Sequence, residues 1–232
     1  MSAPRVAVVG GNGKTGVAVC AALRERGAEA VPLGRAEWDD LAGAMRGCVA
    51  AYLVAPNFHP DEPAYVAQAL EACRAAGVDR VGYHSVAAPY VPAMPHHLGK
   101  AAAEDVVRRS GLRWTILQPG VYVENFDLTR TVRLPYRADA EFGFLRLADL
   151  GAAVAEVLLG PDEHVGATYE LASLRGTVAD LAREAGVDVV VEPPGPDVPE
   201  GLAAMFAYYD EHGLPAGVLT LRALLAREGA LR

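Results

Sequence analysis

An α/β fold built on a doubly wound parallel sheet is predicted by three observations. Short β-branched runs alternate with helix-periodic segments from Arg5 to Gln118. A glycine-rich turn joins the first strand to the first helix. The chain of 232 residues is 52% hydrophobic, enough to bury one full core with a small appendage.

Arg5 to Val9 is a β-branched run ending in glycine, and Lys14 to Gly27 carries Val17, Cys20, Ala21 and Leu23 at helical spacing. Gly27 stops that helix, Glu29 to Leu33 reads as the second strand, and Asp39 to Arg46 as a helix with acidic residues in its first turn. Val49 to Val54 is a third apolar run, broken by Ala55-Pro56-Asn57. Helix Glu62 to Ala76, strand Arg80 to His84, helix Leu98 to Ser110 and strand Arg113 to Gln118 continue the alternation, which implies right-handed crossovers between parallel strands. Beyond it, Asn125 to Tyr136 is ambiguous. Ala148 to Leu159 predicts a helix, Thr168 to Leu171 a strand, Thr177 to Ala185 a helix and Val187 to Val191 a strand. After the turn-rich stretch Pro193 to Gly201, residues Leu202 to Leu231 predict one or two helices.

The formal charge of -8 and the lack of a Lys/Arg cluster argue against direct nucleic-acid binding. Cys20, Cys48 and Cys73 are far apart and lack His neighbours at zinc spacing, so they read as buried apolar residues and no metal is expected. No apolar run approaches membrane-spanning length and no signal peptide is evident, so a cytoplasmic location without a membrane partner is expected. Of the 21 basic residues only Lys14 and Lys100 are lysines, which singles them out as positions that need a compact ammonium.

Between the first strand and helix stands Gly10-Gly11-Asn12-Gly13-Lys14-Thr15-Gly16. Gly10 permits the sharp exit from the strand, Gly13 lets backbone approach a pyrophosphate, and Gly16 lets the helix lie near the sheet. The helix amino terminus then offers free N–H groups to an anion. In this strand-turn-helix context the motif reads as the phosphate loop of a Rossmann-type dinucleotide domain. Lys14-Thr15 lacks the glycine spacing of a nucleotide-hydrolysing loop. The second strand ends in Leu33-Gly34-Arg35, where an acidic residue would bind ribose hydroxyls and Arg35 instead suits a 2′-phosphate. NADP(H) is therefore expected, with Lys14 as a second cation at the same phosphate. The alternative for Arg35 is a solvated charge at a strand end.

These residues, with Ser85, His96 to Lys100, Glu104 and the run Ser110-Gly111-Leu112-Arg113-Trp114-Thr115-Ile116-Leu117-Gln118-Pro119-Gly120-Val121-Tyr122-Val123-Glu124-Asn125-Phe126, resemble the NmrA-like branch of the atypical short-chain dehydrogenase/reductases. The likeness covers about residues 5 to 126, with a fainter echo in Leu147 to Gly151 and Tyr169 to Leu171. It implies NADP(H) along the carboxyl edge of the sheet, in proteins that are either reductases or redox sensors. It further implies that Ala55 and Pro56 line the cofactor and that Pro119, Gly120, Val121 and Tyr122 pass beside the nicotinamide. The chain departs from the family pattern twice. Trp38-Asp39-Asp40 follows so soon after Arg35 that an edge strand is expected to be missing, and the part beyond Phe126 is short, which leaves the pocket open or completed by a partner subunit.

A carbonyl reductase must protonate the alkoxide left by hydride transfer. Most short-chain dehydrogenases use Tyr-x-x-x-Lys on one helix face with a serine from the preceding strand. Here Ser85 stands at the strand end and Lys100 at the lysine position, with His96 where the tyrosine would be. The i,i+4 spacing puts His96 and Lys100 on one face if the helix begins early, with Pro95 just before it. One reading makes His96 the acid, Ser85 the orienting hydroxyl and Lys100 the ribose ligand. The other has His96 and His97 capping a loop, with Lys100 structural or cofactor-binding. Tyr83, Tyr90 and Tyr122 are alternative donors, Tyr83 sharing the Ser85 face of its strand and His84 pointing the other way.

The sequence thus divides into a dinucleotide-binding core, residues 1–126, and a small substrate-covering part, residues 127–232. It is expected to be an NADPH-dependent reductase of a hydrophobic carbonyl, enone or quinone held by Tyr122, Asn125, Phe126 and elements after residue 200. A redox sensor acting through a protein partner, or a redox-neutral enzyme retaining the nucleotide, stay as alternatives. Homo-oligomer formation is left open.

Overall fold

A computed structural model describes residues 2–226. Alternating apolar residues of β1 (Arg5–Val9) face opposite ways, Val6 and Val8 into one buried cluster and Ala7 and Val9 into another. Both faces of the strand are therefore covered, as a parallel sheet requires. The sheet has six parallel strands: β1, β2 (Glu29–Leu33), β3 (Ala50–Leu53), β4 (Arg80–His84), β5 (Arg113–Pro119) and β9 (Ala167–Leu171), in the order β2-β1-β3-β4-β5-β9. β2 is its edge, so the expected missing strand is indeed absent there: a 3-10 turn over Arg35–Asp40 and the short α2 (Leu41–Ala44) return the chain straight to β3.

On one face lie α1 (Lys14–Glu25) and α5 (Leu147–Leu159), with α8 (Val218–Ala226) beside them; on the other lie α2, α3 (Glu62–Ala76) and α4 (Pro95–Arg108). α3 starts where Asp61 Oδ1 accepts the Ala64 N–H at 3.0 Å and ends at Gly77 in the left-handed conformation. α4 begins three residues before the expected Leu98, at Pro95, whose ring fits a first helical position.

The remaining elements form a third cluster around Phe142, Phe144, Tyr136 and Tyr209. They include β6 (Val121–Tyr122), β7 (Val132–Leu134), β8 (Glu141–Leu145), β10 (Leu174–Thr177), α6 (Val178–Ala185), β11 (Val189–Val191) and α7 (Glu200–His212). β8 joins parallel β6 to antiparallel β10, and β11 pairs with β7 inside the stretch that was ambiguous in sequence. Residues 147–171 differ from the expected division at residue 126. α5 packs on α1, and β9 pairs with β5, so this segment returns to the core to cover a face and an edge that would otherwise meet water. The terminal helices predicted over Leu202 to Leu231 appear as α7 and α8, with residues 227–231 outside the described ones. Among the described residues no helix is long and apolar enough to cross a membrane.

Candidate dinucleotide site

The carboxyl ends of β1 to β5 open into one cleft of about 1440 Å³. At its floor, Gly10 turns the chain out of β1 with φ +75°, and a Cβ there would meet the Val54 carbonyl oxygen at 2.6 Å. A Cβ on Gly16 would fall 2.3 Å from the Gly10 carbonyl oxygen, so glycine is needed for α1 to start this close to its own loop. Gly13 is different: a Cβ would find its nearest neighbour at 3.4 Å, so the protein alone does not demand glycine there. No side chain caps α1 at Gly13, and the N–H groups of its first turn are left for an external acceptor. An accessible glycine and an uncapped helix start fit a pyrophosphate.

Gly10, Asn12, Gly13, Lys14, Thr15, Gly16, Arg35, Ala55, Pro56, Ser85, His96, Lys100, Pro119, Gly120, Val121, Tyr122, Asn125 and Phe126 all line this cleft. Arg35 is exposed, and its guanidinium makes no hydrogen bond or ion pair to other described residues. The nearby Glu37 carboxylate accepts the Gly34 N–H at 2.7 Å, which holds the strand-end turn. Beside them Trp38 and Tyr65 stack at 4.1 Å between centroids, a flat aromatic wall that sequence reading did not find because the two rings sit on different elements. Lys14 does not reach toward Arg35. Its ammonium donates across the cleft to the Glu124 carbonyl and to Asn125 Oδ1 at 3.1 Å. Asn125 is thereby tied to the phosphate loop, while Phe126 packs edge-on to Phe144 at 5.9 Å.

His96 and Lys100 both face the cleft from α4, as their spacing predicts, but the expected trio is not linked by hydrogen bonds. Ser85 donates to Glu104 Oε1 at 2.5 Å, and Gln118 Nε2 donates to the same oxygen at 2.7 Å. Glu104 Oε2 accepts from Tyr90 at 3.1 Å and Arg108 at 2.8 Å, which completes the partners of a fully buried carboxylate. Lys100 donates to Glu62 Oε1 at 2.7 Å and to the His84 carbonyl at 3.3 Å; Tyr83 donates to the same Glu62 oxygen at 2.7 Å. Burial and the Glu62 charge push the Tyr83 phenol far above its ordinary range. His96 packs against Phe58 with 4.5 Å between ring centroids, and burial with the Lys100 charge lowers its pKa. Phe58 itself has φ +54°, a left-handed conformation disfavoured for an aromatic residue. Tyr83 and Ser85 do share one face and His84 takes the other, where it meets Tyr52 and Tyr122. Sequence reading missed Glu62; its only local signal was a carboxylate in the first turn of α3.

The same cleft is also lined by an aromatic and apolar group, Phe58, Tyr136, Leu202, Met205 and Phe206, and by Arg130 and Arg133. Arg130 pairs with Asp127 at 2.6 Å and Arg133 with Glu192 at 2.8 Å.

A parallel sheet in this order with a glycine loop at its switch point defines a Rossmann-type dinucleotide-binding protein. The sequence pattern of the family described as NAD(P)H-binding matches residues 21–161, more than half of the chain, and the chain belongs to that family. No protein of curated function matches it. Among solved structures, the triphenylmethane reductase of Citrobacter sp. complexed with NADP(H) is 20% identical with a TM-score of 0.72, over 95% of each chain. The NADPH-dependent quinone oxidoreductase of Escherichia coli complexed with NADPH is 20% identical with a TM-score of 0.69, over 95% of this chain and 90% of that one. NmrA, a negative transcriptional regulator, is 18% identical with a TM-score of 0.71, over 90% and 81% respectively. These likenesses establish the shared fold and agree with the NmrA-like resemblance read from the sequence.

Proposed function

We propose that the protein is an NADP(H)-dependent reductase of a hydrophobic carbonyl, enone or quinone. The observation that carries this reading is that the dinucleotide cleft is also lined by the aromatic and apolar group of Phe58, Tyr136, Met205 and Phe206. A planar apolar substrate fits such a wall, and the turn at Phe58 holds its ring against His96. Arg35, at the end of β2 and without a partner among the described residues, supports a 2′-phosphate and hence NADP(H) over NAD(H). The similar folds of an NADPH-dependent quinone oxidoreductase and a triphenylmethane reductase support the same chemistry.

The bound cofactor supplies the hydride. Lys100, held by Glu62, and Ser85, held by Glu104, line the nicotinamide side as groups of fixed geometry. His96, kept neutral by burial, donates a hydrogen bond to the substrate oxygen and polarises it, as a neutral imidazole does in other active sites, and solvent water supplies the proton that turns the alkoxide into the alcohol. The test is NADPH oxidation across a panel of carbonyls, enones and quinones. Substrate-dependent consumption is expected, with NADPH preferred to NADH and turnover reduced in His96→Gln. No consumption with any member would overturn the reductase reading, and unchanged turnover in His96→Gln would remove the role given to His96.

A further inference from the structure

Three polar groups on the α1/α5 side of the sheet form a line; the sequence assigned only its outermost member, Tyr122, and assigned it to the substrate. Tyr52 on β3 is fully buried, and its hydroxyl lies 2.8 Å from His84 Nδ1. Its ring crosses over Gly82 of β4, where a Cβ would stand 2.7 Å from Tyr52 Cδ2, so the contact depends on glycine at that position. His84 Nε2 lies 3.0 Å from the hydroxyl of Tyr122, which lines the cleft.

Donor counting gives this line a direction. Burial and the Lys100 charge depress the His84 pKa to about 3, so the ring is neutral and carries one N–H. If that hydrogen were on Nδ1, the Tyr52 hydroxyl would accept it and its own hydrogen would be left inside a buried apolar cluster with no acceptor among the described residues. Tyr52 therefore donates to Nδ1, and Nε2–H donates to Tyr122 Oη. The hydrogen of Tyr122 is turned away from His84 and toward the cleft. There the neighbouring polar group is the Thr15 hydroxyl, whose hydrogen bonding opposes the upward push of burial on the Tyr122 phenol. Thr15 belongs to the first turn of α1, where an incoming phosphate would meet the uncapped N–H groups.

Sheet order decides which half of the dinucleotide is concerned. Arg35 leaves β2 on one side of β1, whereas His84 leaves β4 on the other. The adenosine half lies toward β2, so Tyr122 faces the nicotinamide-side half. We propose that Tyr122 is a cofactor-binding residue that donates its O–H to the nicotinamide-side phosphate of the bound dinucleotide, with His84 and Tyr52 as positioning residues that set its direction. A phosphate oxygen only accepts, and a phenol that already accepts from an imidazole N–H is a stronger donor than a free one. The proposal rests on the dinucleotide reading of the cleft and not on turnover.

The test uses the full chain, isothermal titration with NADPH and with adenosine 2′,5′-bisphosphate, and imidazole ¹⁵N spectra. Tyr122→Phe is expected to weaken NADPH roughly tenfold or more, the range for a hydrogen bond to a charged group, while the bisphosphate, which lacks the nicotinamide half, binds as before. Tyr52→Phe is expected to weaken NADPH less, and Tyr52→Phe combined with Tyr122→Phe to be no worse than Tyr122→Phe alone, because both act through one hydroxyl. In the unmodified chain His84 is expected as the neutral Nε2–H tautomer from pH 5 to 8. Unchanged NADPH affinity in Tyr122→Phe, equal losses for both ligands, or an Nδ1–H or imidazolium His84 would each overturn the proposal. An intact NADPH affinity with no reductase turnover would overturn the proposed function and leave this inference standing.

Discussion

At the β2 end of the cleft Arg35 stands exposed with no hydrogen-bond or ion-pair partner among the described residues, whereas at the β4 end Lys100 is 6% exposed and paired with Glu62, itself 2% exposed. Both are cations lining one cavity. The first, in the proposed function, serves the 2′-phosphate of the ligand, and the second already balances a buried carboxylate. A cation at a nucleotide site therefore serves affinity or architecture according to what the fold has placed beside it. Sequence alone assigned both to the cofactor and did not show that Lys100 meets a buried carboxylate.

The largest expected effect is at the buried end. Lys100→Met leaves Glu62 buried beside Tyr83 without its counter-charge, and should destabilise the chain by about 3–5 kcal/mol in urea unfolding. Lys100→Met with Glu62→Met should recover most of that loss. If the single variant loses less than the double, the pair is not what holds the two groups in place.

Acid should act on the same end. His97 is fully buried, with Nδ1 3.2 Å from the Ala88 carbonyl and no partner for Nε2 among the described residues, and burial holds its pKa down to about 4. A histidine whose folded pKa is depressed below the unfolded value near 6.5 contributes full stability above that value, and the contribution is lost as pH falls toward the folded pKa. For His97 alone the loss reaches about 3 kcal/mol by pH 4. His97→Gln should show a shallower fall in stability between pH 6.5 and 4; a fall as steep as in the parent chain would assign the acid sensitivity to other groups.

The exposed end should respond in affinity only. Arg35→Gln is expected to weaken NADPH about tenfold, leave NADH unchanged and leave the thermal midpoint where it was. Loss of both ligands to the same degree would mean that Arg35 does not contact the 2′-phosphate and would erase the contrast between the two ends.

Much of the fold was legible because its signals are short-range. The bounds of α3 and of β1, β2 and β4 match those read from the hydrophobic period and the stop at Gly27, and the caps of α3 found in the structure, Asp61 and Gly77, adjoin it in sequence. The phosphate loop was legible because its glycines fall at fixed spacing between a strand and a helix, although only Gly16 is crowded purely by backbone of its own loop, Gly10 being held by the Val54 carbonyl. β6, β8 and β10 were not read: they are two to five residues long and gain their stability from the aromatic cluster around Phe142 and Phe144. The return of β9 to the core sheet depends equally on packing that no local pattern encodes.

Within the site, the sequence by itself determined which residues surround the cleft, because strand ends and first helical turns converge on the carboxyl edge of any parallel sheet wound this way. Only the tertiary structure decided what those residues are bonded to. Lys100 meets Glu62 across 38 positions of sequence, and His84 meets Tyr52 across 32 and Tyr122 across 38. Such partners are chosen by the order β3-β4-β5 and by the depth at which each side chain is buried. A hydrogen bond follows distance and desolvation, and neither is a function of position along the chain.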